Sequence, residues 1–337
     1  MADPLSNSVA TAPEPARRPR ASAGRRTSHP ESDPRQPERP TGWYTRLKLE
    51  IARGFLWGWA RLFSLRGLYL FGVAFGTLEY LINFKRRARF RAALARIFPE
   101  GVDADQSRRF TLTFFRRTRC DKLFYLVFDR LPREKLVKRI KFFGREHIDD
   151  ALARGNGVYL MGSHTGSQHV LTLLLALLGY EGAAIRDRNE SASRRFMQDR
   201  FLETFPEFRG ARWLYADSFP RDIYRCFQEN RIVGSALDVG RQRGQTLRTC
   251  PVEIFGEKRE FLTGTLQIAL RCRATVMQIF VVSRPNFYFR IIATPPLCVP
   301  DSNEHPDTPE RLASILQAYA DGIESHAREY PDNLSRI

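Results

Sequence analysis

The stretch "GSHTGSQHV", Gly162 to Val170, places two histidines five positions apart among glycine, serine and threonine. Histidine titrates near neutrality, so it can take and return a proton at physiological pH. The residues between offer small side chains and backbone amides. If Thr165, Gly166 and Ser167 open a helix after the Gly162 turn, their unpaired N–H groups would suit an oxyanion or a phosphate. His164 would then be a general base beside an anion cradle. The alternative is a histidine that merely caps a helix. On a regular helix two side chains five residues apart point about 140° apart. His164 and His169 could therefore meet only across an irregular turn.

The elements around this stretch fit that picture. An apolar run, "GVYLM", precedes it and a longer one, Leu171 to Leu178, follows it. This reads as strand, turn, helix. From about 155 onward apolar runs alternate with amphipathic segments. "EGAAIRD", "RWLYAD", "RIVGSALD", "TCPVEIFG", "TVMQIFVVSR" and "FYFRIIATPPL" read as strands. "SRRFMQDRFLETF", "FPRDIYRCFQEN", "GTLQIALRC" and the segment from Thr308 to Tyr330 read as helices. Such alternation implies an α/β fold with a largely parallel sheet flanked by helices. Ligands of such sheets bind outside the carboxyl ends of strands, where His164 would sit. Residues 92 to 152 read as helical throughout.

The chain has 337 residues, a formal charge of +17 and five scattered cysteines without a C-x-x-C pair. The cysteines read as reduced thiols, not as a disulfide frame or a zinc site. The charge suggests a polyanionic partner. Helix-turn-helix, RRM and zinc-finger patterns are missing, which argues against nucleic acid. Residues 1–40 hold eight prolines and two Arg pairs, and read as a disordered tail with too little apolar surface to offset its ordering entropy. Residues 41–91 are aromatic and apolar, with three of the four tryptophans (Trp43, Trp57, Trp59) and "KRRARFR" at the end. Trp and Arg bracketing an apolar helix mark a membrane anchor, either spanning or interfacial. Most of the positive charge falls between 41 and 150, where anionic headgroups would favour it. Residues 92–337 would form the α/β domain.

Taken together, these motifs resemble the bacterial lipid A late acyltransferases and lysophospholipid acyltransferases of the wider glycerol-3-phosphate acyltransferase superfamily. The resemblance runs from about 43 to 330. It rests on the apolar N-terminal helix, on "ALARIFP" at 93–99 (similar to N-L-x-x-x-F-P, with Ala93 for Asn), on G-S-H-x4 and on "IRDRN". It rests also on a block with Asp238, Val252, Phe255, Gly256, Thr263, Gly264, Ala269 and Val276 in the family's order. The resemblance implies transfer of a fatty acyl chain from a thioester on acyl carrier protein or coenzyme A to a hydroxyl of a membrane glycolipid, lipid A precursor or lysophospholipid. It implies a site on the cytoplasmic face of a bacterial inner membrane. No metal or cofactor is implied. His164 matches the catalytic base. Arg186 and Arg188 match contacts to acceptor or phosphate, and Asp238 a further substrate contact.

One position departs from the family. Its motif is H-x4-D or H-x4-E, in which the acid orients the imidazole and steadies the imidazolium. Here position 169 is histidine. His169 could substitute imperfectly, with Asp187 or Glu203 supplying the charge. The reaction could run on a weaker base. Or the chain could have lost catalysis and kept lipid or carrier binding, assisting another enzyme.

Overall fold

The computed structural model describes residues 42–186, 191–215, 220–238, 248–300 and 307–334. The tail expected over 1–40 lies outside the described residues. The chain begins with α1 (Trp43–Ile82), α2 (Phe84–Ile97) and α3 (Ala104–Val127), then α4 (Arg133–Val137), β1 (Ile140–Phe143) and α5 (Arg145–Ala153). There follow β2 (Val158–Gly162), α6 (Leu171–Leu177), β3 (Gly182–Arg186), α7 (Ala192–Thr204), β4 (Arg212–Tyr215), α8 (Pro220–Gln228) and β5 (Ile232–Ala236). The last elements are β6 (Thr249–Ile254), β7 (Glu257–Leu262), α9 (Gly264–Arg271), β8 (Thr275–Arg284), β9 (Tyr288–Cys298) and α10 (Pro309–Glu329).

Seven strands form one sheet in the order β1-β9-β8-β2-β5-β3-β4. The five strands from β8 to β4 run parallel, while β9 turns back antiparallel to β8 and pairs in parallel with β1. The expected largely parallel α/β sheet is therefore present. Side chains alternate across it, as a pleated strand requires. Val158 and Leu160 of β2 join the core under α1, α3, α6 and α7, with Met277 and Val281 of β8. Tyr159 and Met161 join the opposite core under α8, α9 and α10, with Val276 and Phe280. Both faces of β2 are buried, which explains its unbroken apolar run.

Three local expectations need correction. The helical reading of 92–152 missed β1, a four-residue edge strand too short to show a period against its helical flanks. The segment "TCPVEIFG" does form β6, but it pairs only with β7 in a separate hairpin whose second strand, "EKREFL", is too charged to read as one. The helix read over 168–178 begins instead as a 3-10 turn, Gln168–Val170, before α6. Residues 84–97 form one helix, α2, whose Phe90 stacks on Phe114 of α3 with ring centroids 4.2 Å apart.

Candidate active site

The register of β2 and β5 builds the site. Gly162 stands opposite Ala236, the last residues of two adjacent parallel strands. Two residues further along each strand lie His164 and Asp238. Asp238 Oδ1 is 2.8 Å from His164 Nδ1, and Asp238 Oδ2 accepts the His164 backbone N–H at 2.7 Å. A carboxylate can only accept, so the ring proton sits on Nδ1 and the basic lone pair on Nε2. The two contacts fix both the position and the rotation of the imidazole. The His164 side chain is 33% accessible and that of Asp238 12%, so the acid is sheltered while the imidazole is part-exposed.

The turn after β2 is fastened by its neighbours. The Gly162 carbonyl accepts the buried Tyr319 hydroxyl of α10 at 2.6 Å. Ser163 and Thr165 share a hydroxyl hydrogen bond of 2.8 Å. Gly166 has φ +60°, and a Cβ there would come within 2.0 Å of the Val281 carbonyl, so only glycine fits. The Gly166 N–H donates to the Asn333 carbonyl, and the Ser167 N–H to the Val281 carbonyl at 3.0 Å. Thr165 bridges to Leu334. The expectation that these amides wait free for an anion is thus corrected for Gly166 and Ser167. The chain's own C-terminal turn and β8 take them, because an irregular backbone turn in a packed interior must find acceptors locally.

Ser167 turns its hydroxyl toward α3. Its Oγ lies 2.9 Å from Asp121 Oδ2, which also accepts the Ser283 hydroxyl of β8 at 2.9 Å and stands 3.1 Å from Arg117 Nη1. Arg117 Nε in turn donates to the Asp332 carbonyl at 2.8 Å. Burial pushes the Asp121 carboxyl above its ordinary range, against the pull of Arg117 and the two hydroxyls. Asp121 has no motif around it, and sequence reasoning passed it over. The one visible sign was an acid set within the aromatic run "RCDKLFYL".

His169 lies on this same side. Its ring meets Tyr125 of α3 edge-on at 4.9 Å, and with Asp121 and Ser167 it lines a narrow crevice. Among the described residues no hydrogen bond joins His169 to His164. Solvent reaches the ring. Enclosure by the surrounding protein, followed by the charges of Arg194, Arg117 and Lys122, pushes its pKa down to about 3. The pairing of the two histidines considered above does not occur. Glu203 is not at the site either: it lies 2.7 Å from Arg200 Nη1 and is exposed.

Arg186 ends β3, on the same strand-end edge as His164 but with β5 between them. Arg188 and Asp187 lie outside the described residues. No group of three or more His, Cys, Asp or Glu suited to a metal occurs among the described residues.

The arrangement is an imidazole held by a carboxylate at the carboxyl ends of adjacent parallel strands, a geometry that can deprotonate an attacking hydroxyl. The family model for bacterial lipid A biosynthesis acyltransferases matches residues 45–331 of this chain. No curated protein matches it.

Proposed function

Because the chain belongs to the bacterial lipid A biosynthesis acyltransferase family, we propose that it is a membrane-bound O-acyltransferase in which His164 is the base and Asp238 its orienting acid. The family supports acyl transfer onto a lipid-like acceptor. The finer reading is transfer from an acyl thioester, on acyl carrier protein or coenzyme A, to a hydroxyl of a glycolipid, lipid A precursor or lysophospholipid, at the cytoplasmic face of the inner membrane. The observation that carries it is the two-point contact between Asp238 and His164.

In this reading His164 Nε2 takes the proton of the acceptor hydroxyl as its oxygen attacks the thioester carbonyl. The C–O bond forms and the C–S bond breaks. The departing thiolate then takes the proton back from the imidazolium, and the base is regenerated. Asp238 holds the Nδ1 proton throughout and balances the imidazolium charge. A family member with histidine at the motif's acid position thus has another carboxylate at the imidazole, which favours an active enzyme over an inactive carrier of lipid. Arg186, which ends β3, and Arg188 two residues on in sequence carry guanidinium forks that suit a phosphate of donor or acceptor.

The test is lipid mass spectrometry of cells with and without the protein, followed by an assay of purified protein with both thioester classes. A new ester that disappears in His164→Ala is the expected result. If the folded protein forms no ester from either donor, acyl transfer is wrong and binding without turnover takes its place.

A further inference from the structure

By length and composition α1 can cross a membrane, yet it does not run straight. Ser64 leaves the helical region, with φ 66° and ψ 171°. Along an unbroken helix Trp59 and Phe71 would lie about 18 Å apart, and Phe55 and Phe71 about 24 Å. Their ring centroids are instead 5.0 and 6.3 Å apart. α1 is a helical hairpin with its tip at Ser64.

Both arms are fastened to the α/β body. On the first, the Arg53 side chain is 1% exposed and its Nη2 lies 2.7 Å from Asp129 Oδ2, while Glu50 pairs with Arg200 of α7. The second arm lies against α3. A Cβ on Gly72 would meet Cys120 Sγ at 2.8 Å, and one on Gly76 would meet Arg116 Cα at 2.5 Å, so the two helices touch backbone to backbone. Arg116 Nε donates to Thr77 Oγ1 at 2.9 Å, and Glu79 accepts from both Arg86 and Arg119. If the second arm crossed a bilayer it would carry Arg116, Arg117, Arg119 and Lys122 of α3 into hydrocarbon with it, where each charge is costly. The arm from 65 to 82 is also about 27 Å long, short of the roughly 30 Å of a bilayer core.

The faces turned away from the body are apolar. Ile51, Phe55 and Leu62 of the first arm are exposed, as are Leu70, Leu78 and Ile82 of the second, with Leu62 at the tip 79% accessible. Cations sit over aromatic rings beside them: Lys48 over Tyr44, Arg61 over Trp57 and Arg87 over Phe84. Rings with a cation alongside suit the headgroup level of an anionic leaflet, with the apolar residues below it.

Resting on the membrane reading above, we infer that the α1 hairpin lies in one leaflet of an anionic bilayer and does not cross it, so that the start of α1 and the His164 site stay on the same side. The test uses the full chain in membranes with Cys250 and Cys272 changed to serine. A reporter cysteine is placed at Gly42→Cys, before the first arm, and separately at exposed Glu310→Cys on α10. A membrane-impermeant maleimide should label both from the same face. Labelling from opposite faces overturns the inference and leaves acyl transfer untouched, since that is read by ester formation. A chain that remains in the supernatant overturns both the inference and the anchoring it rests on. As a second reading, Leu62→Glu with Phe63→Glu alters only exposed positions. It should weaken binding to phosphatidylglycerol vesicles roughly tenfold or more with an unchanged thermal midpoint. Unchanged vesicle binding means the tip is not inserted and counts against the hairpin as the contact.

Discussion

The turn between β2 and α6 has two sides that work differently. On the side of the sheet, His164 leans on one carboxylate at the ends of adjacent strands and is part-exposed. On the side of α3, Ser167 is tied into a part-buried knot of Asp121, Ser283 and Arg117, and Arg117 reaches on to the C-terminal turn. One side presents a group that can exchange a proton with a visiting molecule. The other holds the turn so that this group stays in place. The two histidines separate along the same line. What a histidine does here is set by the element it faces and not by its distance along the chain from another histidine.

The comparison breaks first at the dyad. His164→Ala is expected to lower kcat by about 10^2 to 10^4 with little change in thermal midpoint, because the ring is part-exposed. Asp238→Asn keeps the shape but not the charge, and should cost about 10^2 or more. The double variant should be no worse than His164→Ala, since an orienting acid has nothing left to orient. Full activity in Asp238→Asn would separate the acid from the reaction, and the family's missing carboxylate would have to be sought elsewhere.

The α3 side should fail differently. Asp121→Ala removes the acceptor shared by Arg117 and two part-buried hydroxyls, while Arg117 keeps the Asp332 carbonyl, so a loss of about 1–3 kcal/mol is expected. The measurement is chemical unfolding, with a lower midpoint expected. Ser167→Ala removes a single hydroxyl and should cost only about 1 kcal/mol. If Asp121→Ala abolished turnover with stability intact, the knot would be part of the reaction and the division between the two sides would fall.

Much of the sheet was legible because β2 and β8 are buried runs whose composition admits few alternatives. The neighbours of β2 were not legible. The chain runs from β2 to β3, yet β5 sits between them, and that insertion is what brings Asp238 to His164. Asp238 was singled out as a substrate contact, while its place beside the imidazole depends on a pairing between residues 74 apart. The break in α1 was hidden for another reason. "LFSLRG" contains no proline, and Ser64 turns because rings sixteen and twelve residues apart pack together. Gly72 and Gly76 showed small residues at a spacing of four, but their partner α3 is polar in sequence and gave no sign of the contact.

The smallest expected effect lies at His169, and it sharpens the comparison most. The ring is neutral in the fold, with its pKa pushed down to about 3, against about 6.5 in an unfolded chain. As pH falls from about 6.5 toward 3, the unfolded chain binds a proton that the folded one refuses, so this group withdraws stability over that window. His169→Gln cannot take that proton. It should narrow the loss of thermal midpoint between pH 7.5 and 4.5, modestly, because solvent reaches the ring. His169→Glu restores the acid at the family's spacing and places it near Arg194, Arg117 and Lys122. An ion pair open to solvent contributes about 0–1 kcal/mol, so stability should hold or rise slightly. Activity should change by less than about fivefold if, as proposed, Asp238 is the acid that orients His164. A large gain in His169→Glu would mean that the turn can rearrange to bring position 169 to His164. A large loss with the fold intact would mean that His169 touches the substrate itself, and that the α3 side of the turn is part of the binding surface.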